Sequence, residues 1–172
     1  ISSSAFGSIY GNQIKIVGVN GNIGVAGDVI SERVLKINAD GTIVTNKTQA
    51  KEAMEVKAKE FTQNTSTYTE GNLTIDADKV TLKGNGTQAG NILITGDLEN
   101  EVNIYSGNDI NIGKGLVNKS GQIVTERNIS INGKTDNKDL LYAKNNITIG
   151  KELNNTGNIQ SNGSIKTGGN TT

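Results

Sequence analysis

The sequence predicts an all-β fold: a parallel β-helix solenoid of about eight coils, each of 18–21 residues. Three observations predict it. A pair of apolar residues recurs about every 19 residues, turn residues separate the pairs, and the composition combines Gly (22 residues) and many Asn, Thr and Ile with no Pro. Thr and Ile favour strands, Gly and Asn favour tight turns, and the absence of Pro suits a chain made of backbone ladders.

The motif apolar-x-apolar defines the coil. The first residues of successive copies are 21, 19, 19, 19, 18, 19, 18 and 18 residues apart. Alternation with period two indicates a half-buried strand, and the spacing is too short for βαβ units, which need roughly 30 residues. We therefore predict one ladder of stacked strands, with a ninth copy that begins at Ile165. Its core residues are Ile14, Ile16, Leu35, Ile37, Met54, Val56, Leu73, Ile75, Ile92, Ile94, Ile110, Ile112, Ile129, Ile131, Ile147 and Ile149.

Further apolar positions within each coil predict a second, less regular face. These positions are Ile43, Phe61, Val80, Leu82, Val102, Ile104, Ile123, Leu141 and Ile159. Turn signals such as Asp40-Gly41 and Asn162-Gly163 lie between them. One coil cannot bury its own apolar residues, so it is stable only when it stacks on neighbours. The rod is expected to be roughly 38 Å long, and related folds suggest a right-handed coil.

Residues 48–61 offer an alternative, because good helix formers there place Met54 and Phe61 among alanines at helical spacing. Met54, however, lies 19 residues from both Leu35 and Leu73, in register with the repeat. We expect the global pattern to override the local preference, and we predict a strand. The middle residue of each apolar pair is polar in nearly every copy, and Leu93 marks an exposed apolar spot.

Aligned coils place similar residues in columns. Just before the ladder come Asn72, Asn91, Asp109, Asn128, Asn146 and Ser164, which predict a ladder of side chains that hydrogen-bond along the axis. Five residues after the ladder starts come Asp40, Lys59 and Asp78. They are interpreted as a solvated surface ion pair, with a cation-binding carboxylate cluster as the less favoured alternative.

The composition excludes several classes of function. Without Cys and His there is no thiol nucleophile, no Ser-His-Asp triad and no ordinary zinc site. Equal numbers of basic and acidic residues (17 each) argue against a nucleic-acid partner, and no apolar run is long enough for a membrane span. We predict no catalytic, cofactor-binding or metal-binding residues and no cofactor.

Surface carboxylates are the candidate catalytic residues if the chain is an enzyme. Asp76 with Asp78, or Asp97 with Glu99 and Glu101, could in principle serve as acid and base in polysaccharide cleavage. Carboxylates are common on any soluble surface, so the favoured prediction is that the chain is not an enzyme. Residues 62–71 are the longest candidate for a protruding loop, with Tyr68 as its candidate contact residue, but the favoured interpretation of this segment is an unspecific solvated turn.

The first thirty residues resemble the filamentous haemagglutinin family. The segments that carry the resemblance are 7–18 (GSIYGNQIKIVG), 21–25 (GNIGV) and 27–31 (GDVIS). Downstream units, such as 39–43 (ADGTI) and 121–131 (GQIVTERNISI), look like the adhesin repeats of that family. The family's Asn-Pro secretion motifs are missing. The resemblance thus divides the chain into residues 1–34, a first coil at the end of a secretion-domain-like region, and residues 35–172, a continuous run of haemagglutinin-type repeats.

The resemblance implies an internal segment of a large exoprotein, secreted to the outer surface of a Gram-negative bacterium by two-partner secretion. Its partners would be the outer-membrane transporter of that route, acting through the larger protein, and a host cell-surface glycan or protein. The leading hypothesis is a rod-like adhesin segment. The alternatives are the stalk of a contact-dependent growth-inhibition toxin and a polysaccharide-acting β-helix enzyme.

Overall fold

The chain forms a β-solenoid, and the computed structural model describes its residues 7–172. These residues form strands and turns without a helix, and neighbouring strands are parallel. The first six residues of the predicted first coil, 1–34, lie outside the described residues. The strands are β1 (Ile9–Gly11), β2 (Ile14–Gly18), β3 (Ile23–Val25), β4 (Val29–Ser31), β5 (Val34–Ala39), β6 (Thr42–Ala50), β7 (Ala53–Lys57), β8 (Glu60–Thr69), β9 (Asn72–Asp76), β10 (Lys79–Leu82), β11 (Gly86–Ala89), β12 (Asn91–Ile94), β13 (Asp97–Asn100), β14 (Ile104–Ser106), β15 (Ile110–Ile112), β16 (Leu116–Asn118), β17 (Ile123–Thr125), β18 (Ile129–Ile131), β19 (Thr135–Asn137), β20 (Leu140–Ala143), β21 (Ile147–Ile149), β22 (Leu153–Asn155), β23 (Asn158–Ser161) and β24 (Ile165–Thr167).

Each coil has three faces. Face 1 consists of β2, β5, β7, β9, β12, β15, β18, β21 and β24. Face 2 consists of β3, the first halves of β6 and β8, and then β10, β13, β16, β19 and β22. Face 3 consists of β1, β4, the second halves of β6 and β8, and then β11, β14, β17, β20 and β23. The nine strands of face 1 enclose eight turns, which confirms the predicted fold class and coil number.

Face 1 is the predicted ladder. Its strands pair without a slip, so that Leu35 lies beside Ile14 and Met54, and the same register continues to Ile165. The predicted ladder residues are buried, except for Ile16, which is half-buried. Alternation of the strand turns the residues between them outward, and Leu93 is 43% exposed as predicted.

The prediction of a single second face was wrong, because its residues divide between faces 2 and 3. Ile43, Phe61, Val80 and Leu82 lie on face 2, Ile104, Ile123, Leu141 and Ile159 lie on face 3, and Val102 lies in the turn between these faces. The apolar repeat does not reveal face 3 as a separate face, because buried threonines replace aliphatic residues there in three coils, at Thr48, Thr67 and Thr87.

The helical alternative for residues 48–61 is excluded. This segment forms the end of β6, all of β7 and the start of β8, and Met54 is fully buried. The outward Glu55 of β7 forms an ion pair with Lys36 of the preceding coil at 3.0 Å. Stacking of the coils therefore buries the apolar residues of this segment and pairs its charged Glu55, although the local sequence favours a helix.

Both sequence interpretations of residues 62–71, the protruding loop and the solvated turn, are wrong for most of the segment. Strand β8 continues to Thr69 and turns the corner from face 2 to face 3. The inward Gln63 is fully buried, where its Nε2 donates to the carbonyl oxygens of Lys83 (3.0 Å) and Gly86 (3.2 Å) and its Oε1 accepts from Thr87 Oγ1 at 2.8 Å. These internal hydrogen bonds hold a polar segment in the wall of the solenoid.

Among residues 7–172 there is no helix long and apolar enough to cross a membrane.

Candidate functional site on face 3

The outward residues of face 3 form one row along the axis. Strand alternation turns Thr67 and Thr69 inward and Tyr68 outward, and the parallel register stacks the equivalent residue of every coil beside it. The row, called the tyrosine row below, consists of Tyr10, Ile30, Gln49, Tyr68, Gln88, Tyr105, Val124, Tyr142 and Gln160. It contains all four tyrosines of the chain.

Three of these tyrosines recur at every second coil. Tyr68, Tyr105 and Tyr142 are each 37 residues apart, and Gln88 and Val124 lie between them in the register. Since neighbouring parallel strands are separated by about 4.8 Å, successive tyrosines of this set are about 10 Å apart along the axis. Tyr105 is 38% exposed, whereas Tyr68 and Tyr142 are half-buried.

A depression of about 320 Å³ lies between Tyr68 and Tyr105. Gly86 leaves its floor without a side chain, and the amides of Gln88 and Asn103 line it. Two aromatic rings at the ends and amides between them give a site that combines apolar contact with hydrogen-bond donors and acceptors.

The Tyr105 ring has a defined position. Its Oη donates to Glu126 Oε1 at 3.4 Å, and Glu126 Oε2 accepts from Lys144 Nζ at 3.3 Å. This ion pair lies beside the tyrosine row, which itself contains no charged residue. The row is therefore an uncharged surface in which the Tyr105 ring is held from one side by Glu126.

The neighbouring face 2 contains a buried ladder of asparagines that the sequence interpretation missed. Asn100, Asn118 and Asn137 are buried on face 2, and Asn155 ends the ladder half-buried. Each Nδ2 donates to the Oδ1 of the next coil, at 2.9, 2.8 and 2.8 Å. The spacing of 18, 19 and 18 residues was a signal, but an inward Asn looks like a turn residue in a chain so rich in Asn.

The predicted side-chain ladder before face 1 is confirmed. Its side chains donate to the preceding coil, whereas the asparagines of face 2 donate to the following coil. Asn91 Nδ2 donates back to Asn72 Oδ1 at 2.9 Å, and Asn128 Nδ2 donates back to Asp109 Oδ1 at 2.9 Å. Asn146 and Ser164 continue the series towards the later coils. From Asn100 to Asn155 the two ladders together tie successive coils to each other at two positions of the coil.

The candidate catalytic carboxylates are engaged in structural contacts. Asp76 Oδ1 accepts from Thr95 Oγ1 at 2.9 Å, and Asp97 Oδ1 accepts from the backbone N–H of Gly115 at 2.7 Å. Asp78 lies 3.8 Å from Lys114 Nζ.

Glu99 and Glu101 both face Lys119, at 2.5 and 3.6 Å. The hydrogen bond from Lys119 lowers the pKa of Glu99, whereas a general acid in glycoside hydrolysis needs a raised pKa. The same hydrogen bond raises the pKa of Lys119. The prediction that the chain is not an enzyme stays a prediction.

A second depression, about 360 Å³ in volume, lies on face 2 above Gly115. Lys79 and Lys134 line it together with Asp97 and Glu99. Its charges are mixed, and it lacks the aromatic rings that distinguish face 3.

The interpretation of Asp40, Lys59 and Asp78 is corrected by the contacts. Within residues 7–172 no salt bridge joins Lys59 to either aspartate. Asp40 instead accepts from the backbone N–H of Asn20 at 2.9 Å, where it caps the preceding coil. The same part of the chain contains no group of three or more Asp, Glu, His or Cys residues that could hold a metal ion.

Comparisons with protein-family models, with curated proteins and with solved structures find no match.

Proposed function

We propose that this chain is a rod-like segment of a large bacterial surface exoprotein, and that it both extends that protein and contributes to adhesion. The observation that carries the proposal is the unbroken register of face 1 from Ile14 to Ile165. Continuous backbone ladders resist bending and stretching, because each coil is hydrogen-bonded to the coils on both sides. Such a rod suits a protein that must hold other regions away from a cell surface.

The surface chemistry supports the adhesive part of the proposal. Ion pairs between successive coils, such as Arg33 with Glu52 at 3.0 Å, cover parts of the rod with balanced charge. The tyrosine row differs, since it concentrates the tyrosines of an aromatic-poor chain on one face. Aromatic residues are enriched at binding hot spots, because a rigid ring offers contact area at low entropic cost.

Export by two-partner secretion and a place on the outer surface of a Gram-negative bacterium belong to the same proposal. They rest on the resemblance of residues 7–31 to filamentous haemagglutinins. The outer-membrane transporter would then act on the larger protein, and the receptor would be a host cell-surface glycan or protein.

The test is binding of the labelled, folded chain to epithelial cells. Saturable binding is the expected result, and cells treated with glycosidases serve as the control for glycan receptors. A folded sample that does not bind would contradict the adhesive role. The chain would then be a spacer, as in the stalk of a contact-dependent toxin.

A further inference from the structure

We propose that the tyrosine row binds a neutral, extended β-1,4-linked glycan chain that lies along the axis of the rod. The inference rests on the proposed adhesive role and names the class of receptor. It begins with the placement of the aromatic residues. The chain has four tyrosines and coils of 18–21 residues, yet all four tyrosines occupy the same position of the coil. Core packing does not require this, since the position is the outward one of face 3.

The spacing of the rings matches this ligand. Tyr68, Tyr105 and Tyr142 recur every second coil, about 10 Å apart along the axis. This distance is close to the length of one disaccharide unit in an extended β-1,4-linked chain. These three rings can therefore contact the apolar faces of every second sugar in register, so that they act together on one ligand molecule.

The residues between Tyr68 and Tyr105 provide the polar part of the site, whereas Val124 lies between Tyr105 and Tyr142. Gln88 lies between Tyr68 and Tyr105, and Asn85 and Asn103 line the side of the depression there. Amides offer both donors and acceptors, which matches the hydroxyl groups of a sugar. The depression has a volume of about 320 Å³ and is open to the outside of the solenoid, so an unbranched chain can pass over it.

The charges argue against other occupants. Nucleic acids and sulfated glycans need clustered Lys or Arg, but the nine residues of the tyrosine row are uncharged. The nearby Lys144 is already paired with Glu126. A protein partner would need an apolar centre, whereas amide side chains interrupt the rings here at Gln49 and Gln88.

The chain provides its own reporter for the experiment. It contains no Trp, and all four tyrosines lie in the row, so intrinsic fluorescence reports on this face alone. The probes are cellohexaose and chitohexaose, with maltohexaose as a control for linkage and a heparin hexasaccharide as a control for charge. Tyr68 and Tyr142 are four coils apart, about 19 Å, so affinity should rise from the disaccharide to the hexasaccharide.

The variants distinguish glycan binding by the tyrosine row from binding by the rest of the surface. Tyr105→Ala is expected to weaken binding of cellohexaose or chitohexaose by about tenfold or more. Leu93→Ala is the matched control, because Leu93 is an outward residue of face 1 with an exposure of 43% against 38% for Tyr105. It should leave the affinity unchanged. Tyr68→Ala is the second row variant, and far-UV circular dichroism shows that each variant is folded.

Three results would overturn the inference: neither neutral hexasaccharide binds the folded chain, Tyr105→Ala and Tyr68→Ala bind as the parent does, or heparin binds more tightly than both neutral probes. Cell binding is measured with the same samples. Saturable cell binding without glycan binding would refute the glycan and leave the adhesive role. Glycan binding without cell binding would refute the adhesive role and leave the site.

Discussion

Replacement of Asn118 by Ala should destabilise the solenoid strongly, because the buried ladder depends on both ends of this amide. Its Oδ1 accepts from Asn100 at 2.9 Å, and its Nδ2 donates to Asn137 Oδ1 at 2.8 Å. The loss of two hydrogen bonds costs about 1 kcal/mol each, and a buried oxygen left without a donor adds about 1–3 kcal/mol. We expect the free energy of unfolding to fall by about 3–5 kcal/mol.

Urea denaturation followed by far-UV circular dichroism measures this change. The control is Asn111→Ala, which removes the same side chain from an exposed, outward position of face 1 and should change stability by less than about 0.5 kcal/mol. A double-mutant cycle with Asn137→Ala isolates the ladder contact, with an expected coupling of about 1 kcal/mol. Additive effects, or a loss at Asn118 as small as that at Asn111, would refute the assignment of a cooperative amide ladder.

Three further predictions follow from other contacts. Ile112→Asp should disrupt the rod, since it places an unpaired carboxylate in the buried ladder of face 1. The neighbouring Asn111→Asp should have almost no effect on stability. An unchanged thermal melt for Ile112→Asp would contradict the register of face 1. Lys119 lowers the pKa of Glu99 below its ordinary value of 4.5, so the pair stabilises the fold above that pH and the contribution disappears as the pH falls through the lowered pKa. Glu99→Gln should therefore reduce the melting temperature slightly at neutral pH and not in acid, and a pH-independent difference would speak against the pair. Gly121→Ala should lower the free energy of unfolding by more than about 1 kcal/mol, as measured by thermal denaturation, because Gly121 has φ +87° and a Cβ there would clash with the Val102 carbonyl oxygen. A stability equal to that of the parent would show that the turn relaxes.

The sequence was sufficient to predict face 1, because aliphatic residues such as Ile110 and Ile129 repeat at a spacing that equals the register of the strands. It could not separate faces 2 and 3. Buried polar residues such as Thr67 and Asn100 break the apolar pattern there, and their partners become visible only when the coils are stacked. Polar residues stabilise the core through contacts between coils, which a linear pattern does not record.

The candidate site illustrates the same limit. The sequence marks Tyr68 as a candidate contact residue, but the surrounding Thr and Ser residues indicate a solvated turn or loop rather than a strand. The 37-residue separation of Tyr68, Tyr105 and Tyr142 is two coil lengths, and that signal is present in the sequence. The signal can be interpreted only with the register of face 3, because β6 and β8 turn a corner within their length, with a register shift between Thr45 and Lys47, and this corner sets which residues are aligned.

The opposite directions of the two side-chain ladders have a consequence for how the solenoid grows. A coil added after Asn118 must bring an acceptor, Asn137 Oδ1, to a donor that is already in place. The same coil must bring a donor, Asn146 Nδ2, to the waiting oxygen of Asn128. An incoming coil shifted by one residue would satisfy neither, since alternation would turn its amides to the wrong side. Each finished coil therefore favours the correct register of the next one at two positions, through side-chain partners as well as through the backbone ladder.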